Sequence, residues 1–223
     1  MVFDGKTALI SGGASGIGRT HAIQLANQGA TVVVLDINEA GLAETSSLSA
    51  NIKPFFCDVT DLAQVRSVIK EVTNAFGPID RLINCAAIMP GGLLAEATAE
   101  HLNKIMLINY NGMMNVCQTI VPTMLERNSG DVIIYGSTAG MIPSVKFGGY
   151  GATKAANNFY AKVLIEENKE TALRILLVCP PSVDTPLLEQ AVDGPEVFHT
   201  PFFKKKLTTT PEKVVAAVES SLN

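Results

Sequence analysis

A doubly wound α/β domain, one parallel sheet with helices on both faces, is the fold that this chain's pattern predicts. Short β-branched runs alternate with longer helical stretches from end to end, which is the signature of strand–helix–strand crossovers. Most of the runs are almost continuously apolar, as strands covered on both faces have to be. The 223 residues suffice for one substantial domain and are too few for two. With 47% hydrophobic and 17% charged residues, a core is readily buried and disorder is not expected.

Six strands are expected, at 7–10, 31–35, 52–56, 79–83, 131–135 and 174–178. Helical spacing fills 17–28, 39–48, 61–76, 99–127 and 151–170, with a last helix at 211–222. Thr210 suits the N-cap of that last helix, and Pro211 its first turn. The segment 186–209, rich in Pro, Phe and Thr, reads as a loop-and-helix excursion over the sheet. No repeat, low-complexity tract or linker divides the chain, so residues 1–223 are expected to form a single domain.

Composition removes several function classes. Seventeen Lys and Arg against 21 Asp and Glu leave a net charge of −4, and the basic residues are scattered apart from Lys204-Lys205-Lys206. That triplet reads as a solvated loop, so nucleic acid is not expected as a partner. No apolar run approaches the roughly 20 residues of a membrane helix, and the N-terminus lacks the zones of a signal peptide. Cys57, Cys85, Cys117 and Cys179 lie in apolar surroundings without CxxC or Cys/His spacing; they read as reduced, buried thiols, and the cytoplasm fits. His101 and His199 have no partner spacing for a metal, and His21 reads as a packed side chain, so no metal site is expected.

Ser11-Gly12-Gly13-Ala14-Ser15-Gly16-Ile17-Gly18 follows the first strand. Glycines there let the backbone turn tightly and approach a pyrophosphate, which the N–H groups opening the next helix can hold. A side chain at Gly12 or Gly16 is expected to fill the space of the phosphate oxygens. Asp36 ends the second strand, eighteen residues beyond Gly18. A carboxylate there accepts both hydroxyls of an adenosine ribose and repels a 2′-phosphate. Ile37 and Ser15, both non-basic, agree with NAD rather than NADP, although Arg19 remains within reach of a phosphate. Strands in this fold point their carboxyl ends at the ligand crevice. Asp58 and Val59 after the third strand, and Asn84-Cys85-Ala86-Ala87 after the fourth, are therefore candidates to meet the adenine and the cofactor, or else simple turn formers.

Tyr150 and Lys154 lie four residues apart on a helix, hence on one face with about 6 Å of rise between them. A free tyrosine titrates near 10, too high for a base at neutrality. An ammonium beside it is expected to favour the phenolate and match it to proton transfer. Ser137, at the carboxyl end of the fifth strand, is placed to bond the same substrate oxygen.

Taken together and in this order, the glycine turn at 11–18, Asn84-Cys85-Ala86-Ala87, Asn109, Ser137, Tyr150 with Lys154, and the stretch from Pro180 to Thr185 make the chain resemble the short-chain dehydrogenase/reductase family over nearly its whole length. The resemblance implies a Rossmann fold and an oxidoreductase that moves a hydride between NAD(H) and a secondary alcohol or ketone. It implies that Tyr150 is the general acid/base, that Ser137 orients and polarises the carbonyl, and that Lys154 tunes Tyr150 and grips the nicotinamide ribose. Asn109 matches an asparagine that holds a water in a proton relay behind the lysine. Gly12, Ser15, Gly16, Ile17, Gly18, Asp36, Asp58, Val59, Asn84, Pro180, Val183 and Thr185 join Tyr150 and Lys154 as the implied cofactor contacts, Thr185 at the carboxamide.

The chain departs from the family pattern at Ser11, Ala87 and Pro181, the last of which replaces a glycine and fixes φ. It also stops at Asn223, before the further strand that members place beyond the final helix; either the chain is a shorter variant or a terminal segment is missing, and the strand at 174–178 is expected to be an uncovered edge. Homodimer formation through the helices at 99–127 and 151–170 is the expected assembly. Met89, Pro90, Met141, Ile142, Val145, Leu187, Leu188, Phe198, Phe202 and Phe203 are candidate walls of an apolar substrate pocket. Two other activities share parts of the pattern: an NADP-dependent 3-oxoacyl-thioester reductase, and a non-catalytic nucleotide-sensing regulator. The second has no need of Ser137, Tyr150 and Lys154 together, and the same trio argues against a methyltransferase.

Overall fold

All six expected strands form, each within a residue of its expected bounds: β1 (Thr7–Ser11), β2 (Thr31–Asp36), β3 (Ile52–Phe56), β4 (Ile79–Asn84), β5 (Gly130–Tyr135) and β6 (Leu173–Val178). The structure, a computed structural model, describes residues 3–191, 194 and 208–222. The strands make one parallel sheet in the order β3-β2-β1-β4-β5-β6. Chain direction across the sheet reverses between β1 and β4, and that switch opens a crevice at the carboxyl ends of the strands.

Alternation along each strand sends successive side chains to opposite faces, and each face has its own core. Leu9, Val33, Leu82 and Val132 pack under α3 (Leu62–Phe76), α5 (Gly112–Glu126) and α6 (Gly148–Glu167). Ala8, Ile10, Val32, Val34 and Ile133 pack under α1 (Gly16–Asn27), α2 (Glu39–Ser47) and the last helix, α8 (Pro211–Leu222). A short α7 (Pro186–Glu189) lies between β6 and α8. Thr210 accepts a hydrogen bond from the Lys213 N–H at 3.4 Å, the cap expected for α8. β3 is an edge strand that carries Pro54 and Lys53, residues that discourage pairing with another chain. β6 is the other edge; a groove of about 360 Å³ runs between it and α8.

The helix expected across 99–127 runs unbroken from Ala99 to Glu126 but is not uniform: α4 (Ala99–Met106) passes through a π-helical turn (Leu107–Asn111) into α5. In the π turn, the side chain of buried Asn109 accepts from the Ile88 N–H at 2.8 Å and donates to the Ile88 carbonyl at 2.9 Å. Periodicity alone does not register one extra residue in a turn. α6 begins at Gly148, three residues before the expected start.

At the opposite end of the sheet from the crevice, a buried ion network ties the strands to α8. Arg81 donates to Asp131 at 2.9 and 2.7 Å and to Glu219 at 2.6 Å, and Arg174 donates to the other Asp131 oxygen at 2.7 Å and to the Leu222 carbonyl. The Arg81 guanidinium also lies 4.4 Å from the centre of the Phe3 ring. None of the described helices is long and apolar enough to cross a membrane. Among the described residues, no group of three or more His, Cys, Asp or Glu is arranged to hold a metal ion.

Candidate active site

A crevice of about 1010 Å³ follows the carboxyl ends of the strands, from Asp36 at one end to Ser137, Tyr150 and Lys154 at the other. Gly12, Ser15, Gly16, Ile17, Gly18, Val59, Pro180, Val183 and Thr185 line it between them. The N-terminus of α1 opens into this space. Ser15 occupies its N-cap position without making a side-chain cap, and the first turn carries no acid. Among the described residues, then, no side chain caps those N–H groups and no acid sits in the first turn, which is what a pyrophosphate needs.

Gly12 is required for a reason other than the expected one. It has φ +73°, and a Cβ there would stand 2.6 Å from the Ala86 nitrogen, inside the backbone that follows β4. The constraint is close packing of the turn on the sheet rather than phosphate space. At Gly16, a Cβ would stand 3.2 Å from Thr185, so the glycine turn and the 180–185 segment meet across the crevice.

Asp36 is anchored by backbone donors: Oδ2 accepts from the Ala14 N–H at 3.1 Å and Oδ1 from the Asn38 N–H at 3.0 Å. Arg19, which sequence reasoning left free to reach a phosphate, is committed elsewhere. Its guanidinium bonds both oxygens of Glu44 at 2.7 and 2.8 Å, the Thr45 hydroxyl at 2.9 Å and the Ala14 carbonyl. Nothing in the spacing of Arg19 and Glu44, 25 residues apart on different helices, signals this pairing.

At the other end, Tyr150 is 6% exposed and Lys154 is 5% exposed. The Lys154 nitrogen lies 5.7 Å from the centre of the Tyr150 ring and donates to the Tyr135 carbonyl at 2.8 Å. The Ser137 hydroxyl accepts from the Ala139 N–H at 3.1 Å and favours the ionised form of the Tyr150 phenol. Phe147 meets the Tyr150 ring edge-on at 6.3 Å, and Ala191 and Met89 complete an apolar surround.

Burial decides the protonation of this pair. It pushes the phenol of Tyr150 up to about 12, opposed by the Ser137 hydrogen bond, and it pushes Lys154 down to about 8. The expected lowering of Tyr150 by the Lys154 cation does not appear in the chain alone, where burial raises the phenol and the Ser137 hydrogen bond is what opposes it.

Three of the expected site residues do not line the crevice. Asn84 is buried, accepts from Ser11 at 3.4 Å and donates to the Cys117 sulfur at 3.2 Å. Asp58 accepts from both the N–H and the hydroxyl of Thr60, at 2.9 and 2.8 Å, as a turn former does. Asn109 also lies outside the lining, with its side chain on Ile88 and Thr153 and its carbonyl accepting from Asn157 at 3.0 Å.

Of the expected pocket walls, Met89, Ile142, Leu187 and Leu188 line the crevice, and Pro90, Met141 and Val145 do not. Phe198, Phe202 and Phe203 lie outside the described residues, as do His199, Lys204, Lys205, Lys206 and most of the 186–209 excursion. Sequence reasoning missed Phe147 and Gln190; the Gln190 side chain accepts from the Met89 N–H at 3.0 Å across the rim. His21 is fully buried against the Tyr135 hydroxyl at 2.8 Å, and burial lowers it to about 3, so it stays neutral as a packed side chain. The four cysteines are free thiols; Cys57 and Cys117 are buried, and Cys85 and Cys179 half-buried.

Comparison with known proteins matches residues 6–196 to the family described as short chain dehydrogenase. The 3-oxoacyl-acyl-carrier-protein reductase of Thermotoga maritima is 31% identical, with 85% of this chain and 79% of that one aligned. The 2,3-dihydro-2,3-dihydroxybenzoate dehydrogenase of Bacillus subtilis is 32% identical over 96% of this chain and 88% of its own. Among solved structures, a short chain dehydrogenase/reductase from Burkholderia phymatum in complex with NAD superposes with a TM-score of 0.88 at 25% identity, covering 100% of this chain and 87% of that one.

Proposed function

The chain belongs to the short-chain dehydrogenase family, an oxidoreductase by that membership, and on that premise we propose that it moves a hydride between NAD(H) and a small hydrophobic secondary alcohol or ketone. The observation that carries the reading is that Ser137, Tyr150 and Lys154 line the same crevice as the glycine turn and Asp36. The uncapped start of α1 would hold the pyrophosphate of a dinucleotide, Asp36 its adenosine ribose, and Tyr150 and Thr185 its nicotinamide end. Gly12, Ser15, Gly16, Ile17, Gly18, Val59, Pro180 and Val183 complete the contacts. When bound, the cofactor supplies the hydride or accepts it at nicotinamide C4.

The chain's own part is to hold the substrate oxygen and exchange its proton. Tyr150, neutral in the free chain, donates to the oxygen of a ketone under reduction and takes the proton back under oxidation. Ser137 donates a second hydrogen bond to that oxygen as negative charge develops on it. Lys154, held by the Tyr135 carbonyl, would hold the nicotinamide ribose with its remaining donors and so set the cofactor against Tyr150. Asn109 acts behind them, holding the segment at Ile88 against α6. The apolar surround of Met89, Phe147, Leu187 and Leu188 favours an uncharged substrate. A screen of ketones and secondary alcohols, followed by NADH absorbance with both NAD(H) and NADP(H), tests the assignment; no turnover of any of them defeats it.

NAD is the cofactor favoured by Asp36 and by the neutralised Arg19. Placing a 2′-phosphate against a carboxylate costs several kcal/mol, so NADPH is expected to be at least about a hundredfold poorer than NADH in kcat/KM. Asp36→Ser is expected to narrow that ratio by about tenfold or more. Equal use of the two cofactors by the unaltered chain favours the 3-oxoacyl-thioester reductase reading instead.

The assembly that we propose is a homodimer. Phe159 and Val163, one turn apart on α6, and Leu107 in the π turn before α5 are apolar and exposed at 71%, 38% and 45%. Equilibrium sedimentation is expected to give twice the chain mass, and Phe159→Glu to return the monomer; a monomeric unaltered chain overturns this. Four free thiols and the absence of a spanning helix among the described residues support a cytoplasmic setting.

A further inference from the structure

Ser137 leaves β5 in an extended conformation, φ −166° and ψ 152°, just past the last residue paired with β6. An extended residue presents its N–H and C=O to the same side, and here no strand remains to receive them. Asn158 receives both. Its Oδ1 accepts from the Ser137 N–H at 3.3 Å and its Nδ2 donates to the Ser137 carbonyl at 3.0 Å. Because an N–H only donates and a carbonyl only accepts, the amide has one orientation. The Cys179 thiol, at the end of β6, donates to the same Oδ1 at 3.4 Å.

Asn158 is 3% exposed and sits on α6 one turn beyond Lys154 and two beyond Tyr150. The backbone closes on its amide from two sides. A Cβ on Gly136 would stand 2.0 Å from Oδ1, and one on Gly140 would stand 2.7 Å from Nδ2. The segment that carries Ser137 is thus seated on the helix with this amide in place of a neighbouring strand.

We propose that Asn158 is the positioning residue for Ser137, holding the serine's backbone to the helix that carries Tyr150 and Lys154 so that the three side chains keep one geometry. The inference rests on the reading of Ser137 and Tyr150 as the groups that meet the substrate oxygen. Loss of the clamp frees the serine to move relative to the phenol, and displacement of about 1 Å costs about a hundredfold in rate. It also weakens the Ser137 bond that favours the phenolate. The other ionisable groups facing Tyr150 are Lys154 from α6, which keeps its bond to the Tyr135 carbonyl, and the Cys179 thiol from the end of β6, which loses its acceptor with the amide.

The test uses the full chain with NADH and the best ketone of the screen, comparing Ser137→Ala, Asn158→Ala and Asn158→Asp for kcat, KM, NADH affinity and pH profile. Asn158→Ala is expected to lower kcat by about a hundredfold with NADH affinity little changed, and to move the pH limb assigned to Tyr150 upward. Asn158→Asp turns an acceptor against the Ser137 carbonyl and is expected to act in the same direction; it carries the test if the alanine variant does not fold. An active Asn158 variant with unaltered kcat and pH profile, beside an inactive Ser137→Ala, overturns this inference alone. Normal turnover by Ser137→Ala overturns it together with the reading of the site.

Discussion

Tyr150→Phe is expected to lower turnover by about 10²- to 10⁴-fold while NADH binds nearly as before. The ring stays, so its edge-on contact with Phe147 and the apolar surround are kept. What is lost is one hydroxyl that no backbone group replaces. Because burial holds that hydroxyl protonated far above neutrality, the sign of the pH dependence follows. Ketone reduction consumes the phenol and is expected to slow as pH rises toward its ionisation. Alcohol oxidation consumes the phenolate and is expected to quicken over the same range. Stopped-flow traces of NADH absorbance in each direction, with NADH affinity measured by fluorescence, separate chemistry from binding. Unchanged turnover by the variant removes Tyr150 from the mechanism.

Asp131→Ala is expected to be the most destabilising single change outside the crevice. Asp131 is 3% exposed and receives Arg81 from β4 and Arg174 from β6, so it joins two neighbouring strands through its two oxygens. Removing it leaves the buried Arg81 cation with Glu219 as its remaining carboxylate partner. Breaking a buried pair in this way costs about 3–5 kcal/mol. At about 2–4 °C per kcal/mol for a domain of this size, the thermal midpoint is expected to fall by roughly 10 °C. Calorimetry of the two proteins gives the answer; a midpoint within a degree or two of the unaltered chain shows that the network carries no stability. The network lies at the end of the sheet away from the crevice, so catalytic constants at low temperature are expected to hold.

The strands were legible because their signal is local. Runs such as Thr31-Val32-Val33-Val34-Leu35 are buried on both faces, and burial on both faces is written as continuous hydrophobicity. The π turn at Leu107–Asn111 was not legible, because it accompanies the meeting of Asn109 with Ile88, a residue 21 positions away. For the same reason Arg19 read as free until Glu44 stood beside it, and Asn84 and Asp58 read as crevice residues until their side chains were found turned to Cys117 and Thr60. Residue type and spacing identify what a group can do, whereas partner and direction belong to the assembled chain.

By itself, then, the order of residues determined the alternating strands and helices, the glycine turn, the strand-end acid at Asp36 and the helical spacing of Tyr150 and Lys154. All of these follow from contacts between near neighbours and from periodic burial. Tertiary structure alone decided that burial raises the Tyr150 phenol, that Gly12 packs against the sheet, and that Arg19 is paired with Glu44. Each of those outcomes depends on desolvation or on a partner brought close only by folding, and neither quantity exists along an extended chain.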